Sequence, residues 1–355
     1  MIVSIVGTNG VPAQYGGFET LVENLLKNKM TQIEYVIFCS AKLYKQKMER
    51  YLGAKLRYIN LRANGVASIV YDLICMLLSL HADVMLVFGV SGSLFLPFIR
   101  LIYRGKIITN IDGIEWRREK WNKFTKYYLR ISEKFAIKFS DVIIGDNQKI
   151  VEYINERYKK ESILIEYGGD HVVHNENKKN DEFYAITVCR IEPENNIHLI
   201  LEAFSRQTKM SVVVVGNWKN SRYGLFLLKK YSNFSQIQLL DAIYDFEKIN
   251  SLRSNAFMYV HGHSAGGTNP SLIEAMFLEL PIFAYNCEYN KCTTENQCYY
   301  WSNIEDLYEY IIKYEELELN SVKEKMKNIA NRRYKWENIV VKYEKLFFDN
   351  FCKNP

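Results

Sequence analysis

Short apolar runs rich in β-branched residues alternate along this chain with longer segments of helical period. IVSIV (2–6), YVIFC (35–39), DVMLVFG (83–89), KIITNI (106–111) and DVIIGD (141–146) read as buried strands with helical segments between them. That alternation predicts a doubly wound α/β unit. After IEYGGDHV, the polar stretch HNENKKNDEF at 174–183 has no apolar period and reads as a linker. A second series follows: YAITVCR (184–190), MSVVVVGN (210–217), IQLLD (237–241), AFMYVHG (256–262) and PIFAY (281–285). The expected fold is α/β, with two Rossmann-like doubly wound domains facing a central cleft. They span residues 1–170 and 184–335, joined by a linker at 171–183, and a C-terminal helix over 336–355 is expected to pack back on the first domain. In open parallel sheets ligands bind at the carboxyl ends of the strands, so motifs at those ends are the candidate site.

Composition narrows the class. With 355 residues, 48% hydrophobic and 24% charged, the chain can bury two sizeable cores. Seven cysteines form no CxxC pair and stand at no zinc-ligand spacing from a histidine, which favours reduced thiols in the cytosol. The opening MIVSIVG reads as a core strand rather than a signal peptide, so export by that route is not expected. The most apolar region, 66–108, is interrupted by Asp72, His81, Asp83, Pro97, Arg100, Arg104 and Lys106, which argues against a spanning helix. A net charge of +6 permits an anionic partner: nucleic acid, a membrane surface or a phosphorylated substrate.

Four motifs lie at predicted strand ends. In the first, GTNGVPAQYGGFETLVENLL, Gly16 and Gly17 let the backbone approach a ligand, and the helix beginning near Phe18 turns its amides toward an anion. A dinucleotide fingerprint is not met, because GxGxxG and the following acidic residue are both missing. The second, NIDGIEWRREKW, places Asp112 just past a strand, as a ligand-contacting carboxylate or as half of an Asp-Gly turn. The third, VCRIEPENN, puts Arg190 at a strand end, where its planar fork suits a diphosphate.

The fourth is HGHSAGGTNPSLIEAM at 261–276. Gly266 and Gly267 allow backbone amides to close on an anion, Thr268, Asn269 and Ser271 offer neutral hydrogen bonds, and Glu274 follows on a helix. Amides for phosphates and a carboxylate for hydroxyls describe a nucleotide-sugar site.

Between the second and third motifs, the segment 120–139 reads as an amphipathic helix. Phe124, Tyr128, Ile131, Phe135 and Phe139 form its apolar stripe, and Lys126, Arg130, Lys134 and Lys138 its cationic one. The cations either form a solvated face or meet anionic lipid headgroups. No helix-turn-helix, zinc-finger or RNA-binding motif supports nucleic acid.

Together, Arg190, the Gly-Gly turn and Glu274 resemble the second domain of retaining GT-B glycosyltransferases. GTNGVPAQYGGFETLVENL, NIDGIEWRREKW, IEYGGDHV, VCRIEPENN and HGHSAGGTNPSLIEAM resemble more closely the bacterial rhamnosyltransferase-like branch, which serves capsule and cell-wall polysaccharide assembly. The resemblance implies a nucleotide-sugar donor in the second domain and an acceptor in the first. It implies that Arg190 meets the diphosphate, Glu274 the ribose, and Gly16 and Gly17 the donor from a closing loop, with His263 preceding the donor loop. Asp112 is then expected to support the reacting centre.

Two departures stand out: Gly266 replaces the first glutamate of the family's paired-glutamate signature, and Asn195 stands where relatives place a diphosphate-binding lysine. Fewer anionic contacts suit a 6-deoxy sugar. The implied activity is retaining transfer of L-rhamnose from dTDP-rhamnose to a lipid-linked oligosaccharide, by a peripheral protein on the inner face of the membrane. No cofactor is expected, and no metal, since no DxD-like pair stands at a strand end. A hexosyltransferase using a UDP- or GDP-sugar, and a non-catalytic sugar-nucleotide or polysaccharide-binding subunit, are the alternatives.

Overall fold

The computed structural model describes residues 1–14, 16–172 and 183–349; most of the expected linker and the last residues of the expected C-terminal helix lie outside the described residues. The elements run β1 (Ile2–Val6), α1 (Gly17–Lys27), β2 (Glu34–Ser40), β3 (Arg50–Tyr51), β4 (Ala54–Ile59), α2 (Ala67–Leu78), β5 (Val84–Phe88), α3 (Leu96–Ile102), β6 (Lys106–Asn110), α4 (Lys123–Phe139), β7 (Val142–Gly145), α5 (Gln148–Tyr158) and β8 (Ile163–Leu164). They continue with β9 (Tyr184–Val188), α6 (Ile197–Ser205), β10 (Ser211–Gly216), α7 (Arg222–Tyr231), β11 (Ile237–Asp241), α8 (Phe246–Asn255), β12 (Met258–His261), α9 (Pro270–Phe277), β13 (Ile282–Tyr285), α10 (Glu288–Thr294), β14 (Tyr299–Trp301), α11 (Ile304–Ile312), α12 (Leu319–Arg333) and α13 (Trp336–Phe348). Two compact units result. Met1–Arg117, Trp121–Tyr167 and the segment from Trp336 make one; Gly168–Lys335 with Arg118–Lys120 make the other.

In the first unit the described strands form one sheet in the order β3-β4-β2-β1-β5-β6-β7-β8, parallel throughout except for β3 against β4. Val3 pairs with Tyr35 on one side and Val84 on the other, and β5 and β6 are buried at every position, as strands covered on both faces are. The helices after β4, β5 and β6 cross in one direction along the sheet. Right-handed crossovers therefore place α2, α3 and α4 side by side on one face. Tyr71, Cys75 and Met76 of α2 and Leu96 and Ile99 of α3 share one core cluster with Met85, Val87 and Ile107 of the sheet. The final helix α13 is anchored in the same unit: Asn110 donates to the Tyr343 hydroxyl at 2.9 Å, and Lys342 pairs with the buried Glu166 at 2.7 Å.

The strand at 54–59 was not read from the sequence, because AKLRYI interleaves Lys55 and Arg57 with its apolar positions, as suits its place near the sheet edge. The stripe expected on 120–139 is also corrected. The buried face of α4 is Leu129, Ser132, Glu133, Ala136 and Ile137, whereas Phe124 is 87% exposed and Lys126 half-buried. The cause is Glu133, a charge that sequence reasoning places outside. Its carboxylate accepts from the Tyr153 hydroxyl at 2.6 Å, the Tyr158 hydroxyl at 2.5 Å and the Trp116 indole at 3.1 Å, and those donors turn the helix about its axis. Arg130, Lys134 and Lys138 remain exposed.

The second unit holds a parallel sheet in the order β11-β10-β9-β12-β13-β14. Its core gathers Val212 and Val214 of β10, Ile200, Leu201 and Phe204 of α6, Leu227 and Tyr231 of α7, and Leu307 and Ile311 of α11 around Trp218 and Trp301. The chain leaves β9 toward β10 and β11, then returns to place β12 on the other flank of β9. This reversal is the topological switch point, where the loops after β9 and β12 diverge and open a crevice. Two of the sequence motifs follow these two strands.

Candidate active site

The site in the second unit is built at the carboxyl ends of β9 and β12. Arg190 lies two residues past β9, with a side chain 42% exposed and a long 3.9 Å ion pair to Glu192. Its carbonyl accepts from Asn195 Nδ2 at 2.6 Å, while Asn195 Oδ1 meets His263 Nδ1 at 2.7 Å. Asn195 is therefore a buried bridge, with the oxygen and the nitrogen of its amide each bonded to protein. It holds the two loops in register.

His263 is buried, and its pKa is pushed well below the ordinary histidine value, first by burial and then by neighbouring positive charges. The imidazole is neutral near pH 7, and the contact to Asn195 Oδ1 selects the tautomer with hydrogen on Nδ1. Its own carbonyl accepts from Asn290 Nδ2 at 2.8 Å, which ties the loop to α10. Beside it, burial lowers the pKa of His261 to about 3.

Two glycines are obligatory here. A Cβ on Gly262 would stand 2.1 Å from the Asn195 carbonyl oxygen, so β12 passes that loop only without a side chain. Gly266 has φ +108°, which L-residues rarely adopt, and its backbone turns beside His263 Nε2. Gly267 and Thr268 are buried in the same turn. The next motif residues serve α9: Asn269 is its N-cap, accepting from Ser271 N at 3.0 Å, and Pro270 occupies the first helical position. Asn269 thus caps the helix that carries Glu274.

Glu274 is buried, with Oε2 2.7 Å from Arg253 Nη2 and Oε1 3.2 Å from His171 Nε2. Burial acts to raise its pKa, but the Arg253 charge and the hydrogen bonds from His171 and Arg253 outweigh it, and the carboxyl lies below its ordinary range. A carboxylate accepts about four hydrogen bonds, so the pair leaves acceptor capacity for hydroxyls. Neither partner was found by sequence reasoning, since SLRSN carries no motif and nothing local links position 171 to 274. Also missed was Glu194. Both its carboxylate oxygens are buried without a hydrogen-bond partner among the described residues, and burial raises its pKa.

The first unit places its own motifs at strand ends. Gly16, at φ +99°, caps α1, and Gly17 is its first residue. The loop before them is held by buried Glu19, which accepts from the Asn9 backbone at 2.7 Å and the Asn9 side chain at 3.0 Å. Asp112 follows β6 with φ +60° and donates its N–H to Asn110 Oδ1 at 2.9 Å, so it makes the turn that its Asp-Gly pair suggested. Among the described residues no cluster of three His, Cys, Asp or Glu side chains is placed to hold a metal, and no helix is long and apolar enough to cross a membrane.

Residues 1–170 match a domain of unknown function (DUF1972), and residues 171–336 match glycosyl transferases group 1. No curated protein matches the chain. Among solved structures it is similar to a sucrose-phosphate synthase from Thermosynechococcus elongatus, with TM-score 0.82 and 14% identity over 99% of this chain and 100% of that one. It is similar to Anabaena HepE in complex with UDP-glucose, with TM-score 0.77 and 14% identity over 98% and 99% of the two chains. A glycosyltransferase from Rickettsia africae gives TM-score 0.70 and 15% identity over 100% and 99%. At such identities these likenesses show the fold, two Rossmann-like domains as in GT-B structures. The group 1 glycosyltransferase match spans residues 171–336, the half that carries Arg190, His263 and Glu274, so that half is a glycosyltransferase domain of group 1.

Proposed function

We propose that the second unit binds a nucleotide-sugar donor at the β9/β12 switch point and that the enzyme transfers the sugar with retention. The observation that carries this reading is the Arg190–Asn195–His263 chain, which sets a partly exposed guanidinium beside a glycine turn at the ends of two adjacent strands. Arg190 stabilises the diphosphate as charge develops on it, and the Gly266-Gly267 turn offers backbone amides to the same group. Glu274, ionised and pre-oriented by Arg253, accepts from nucleotide ribose hydroxyls. In the retaining reaction the leaving phosphate takes the acceptor's proton on the face from which it departs.

The donor in this reading is dTDP-rhamnose and the acceptor a lipid-linked oligosaccharide, met by a peripheral protein at the inner membrane face. Gly266 in place of a glutamate supports a 6-deoxy sugar, because it removes an anionic acceptor for hydroxyls. A UDP-hexose is the second reading, favoured by the UDP-glucose bound to the similar HepE. Thermal unfolding with dTDP, UDP and GDP separates them: a nucleotide at 100 times its Kd raises stability by about 2.7 kcal/mol. Arg190→Ala tests the site itself. Its loss removes a charge-assisted bond of about 1.5–3 kcal/mol, so kcat/KM falls by roughly ten- to 150-fold while the fold is retained. Unchanged turnover in that variant refutes the diphosphate role.

A further inference from the structure

The helical layer α2–α3–α4 on one face of the first unit's sheet has an unusual outer surface. α2 carries one charged residue, Asp72, and it is buried; its solvent side presents Val70, Leu77 and Leu78. On α3, Phe98, Leu101 and Ile102 leave 68%, 77% and 58% of their surfaces in solvent, and on α4 Phe124 and Tyr127 leave 87% and 69%. The three helices are tied together. Ser91, ahead of α3, donates to Asp72 of α2 and accepts from the Tyr128 hydroxyl of α4 through its carbonyl at 2.6 Å, and Arg100 of α3 donates to the Phe139 carbonyl of α4 at 3.0 Å. So many large apolar side chains on one layer exceed what single scattered surface residues explain.

The charges on the same layer have one sign. The acidic residues of α2, α3 and α4 are Asp72 and Glu133, both buried, whereas Lys123, Arg130, Lys134 and Lys138 are exposed. Around the outer end of α4, Arg117, Arg130 and Arg157 each lie 5.4–5.6 Å from the Trp116 ring centre. Arg130, Lys134 and Arg157, with Tyr127, Ile131 and Tyr158, line a recess of about 450 Å³. Glu133, a carboxylate that acts on Arg157, is already bonded to two phenols and an indole. Exposed cations beside a field of aliphatic and aromatic side chains are what the interface of an anionic bilayer complements.

We propose that the outer face of α2–α3–α4 is a bilayer-docking surface. Leu77, Phe98, Leu101 and Ile102 enter the acyl boundary, and Arg130, Lys134 and Arg157 hold lipid phosphates. This deepens the reading of a lipid-linked acceptor and moves the main anchor from the α4 cations to the apolar side chains of α2 and α3.

The test uses the full chain and vesicles of phosphatidylcholine alone or with phosphatidylglycerol. The wild type sediments with the anionic vesicles and keeps a bound fraction in 1 M salt, where screening acts over about 3 Å. The triple variant Phe98→Ser/Leu101→Ser/Ile102→Ser binds on the order of a hundredfold more weakly. Arg130→Glu/Lys134→Glu/Arg157→Glu loses the preference for phosphatidylglycerol. Phe98→Trp reports insertion directly, by a blue shift and by quenching from brominated acyl chains. Salt-reversible binding that is equal in the serine variant, with no quenching, overturns insertion and leaves an electrostatic attachment. A dimer of the wild type that the serine variant makes monomeric assigns the face to a second copy and overturns the proposal. Absence of vesicle binding overturns it while donor turnover in solution keeps the glycosyltransferase reading intact. Insertion without turnover of any donor has the converse meaning.

Discussion

Replacing Arg253 by methionine keeps the length of the side chain's stem and removes the positive charge from a buried pair. Arg253 and Glu274 are 7% and 8% exposed, with 2.7 Å between Nη2 and Oε2. A buried carboxylate left without its guanidinium costs about 3–5 kcal/mol. The loss also depends on pH in a defined direction. In the wild type Glu274 titrates below its ordinary 4.5, so the pair's stabilisation is present above about pH 4.5 and fades as pH falls through the folded value. Without Arg253, burial dominates and lifts the folded pKa above 4.5, so the deficit grows as pH rises from 4.5 toward 7. Hydrogen exchange of β12 and β13 reads the second unit alone. At pH 7 their protection falls by roughly 150- to several-thousandfold at about 1.36 kcal/mol per decade, and by much less at pH 4.5. Arg253→Met/Glu274→Leu, which removes both charges, recovers most of the protection. A loss below about 1 kcal/mol, or one equal at the two pH values, refutes the ion pair as the support of Glu274.

Asn195→Ala unties the Arg190 carbonyl from His263 and leaves buried polar groups unmet, so stability falls by about 1–3 kcal/mol and kcat falls beyond what unfolding explains. Denaturant unfolding alongside steady-state transfer checks this, and unaltered kcat in the folded variant removes the bridge from the site. His261 takes up a proton in the unfolded chain near pH 6.5 but in the folded chain only near pH 3, so its contribution is lost as pH falls through that window. His261→Phe should therefore flatten the fall in stability between pH 6.5 and pH 5 by about 2 kcal/mol, read from urea midpoints at each pH.

Much of the architecture follows from local chemistry. The runs IVSIV, YVIFC, YAITVCR and MSVVVVGN are short and rich in β-branched residues, as buried strands are, and an observed strand overlaps each. Arg190 and Gly266 were recognisable because strand ends are the ligand-facing positions of a parallel sheet, and that rule needs no tertiary detail.

Partnership between distant residues was decided only by the fold. That β12 returns to the flank of β9 is a matter of strand order, and it alone brings His263 to Asn195 across 68 positions of sequence. The same holds for Arg253 and His171 at Glu274, and for the three donors that draw Glu133 inward and rotate α4. For α13, packing on the first unit was expected from the sequence, and the fold supplied the partners, Asn110 at Tyr343 and Glu166 at Lys342. Hydrophobic period states which face of an element seeks cover, but not what covers it. A buried charge reads as a surface residue until its partner is in place, and an apolar helix such as α2 or α3 reads as core until the folded layer shows one side of it left in solvent.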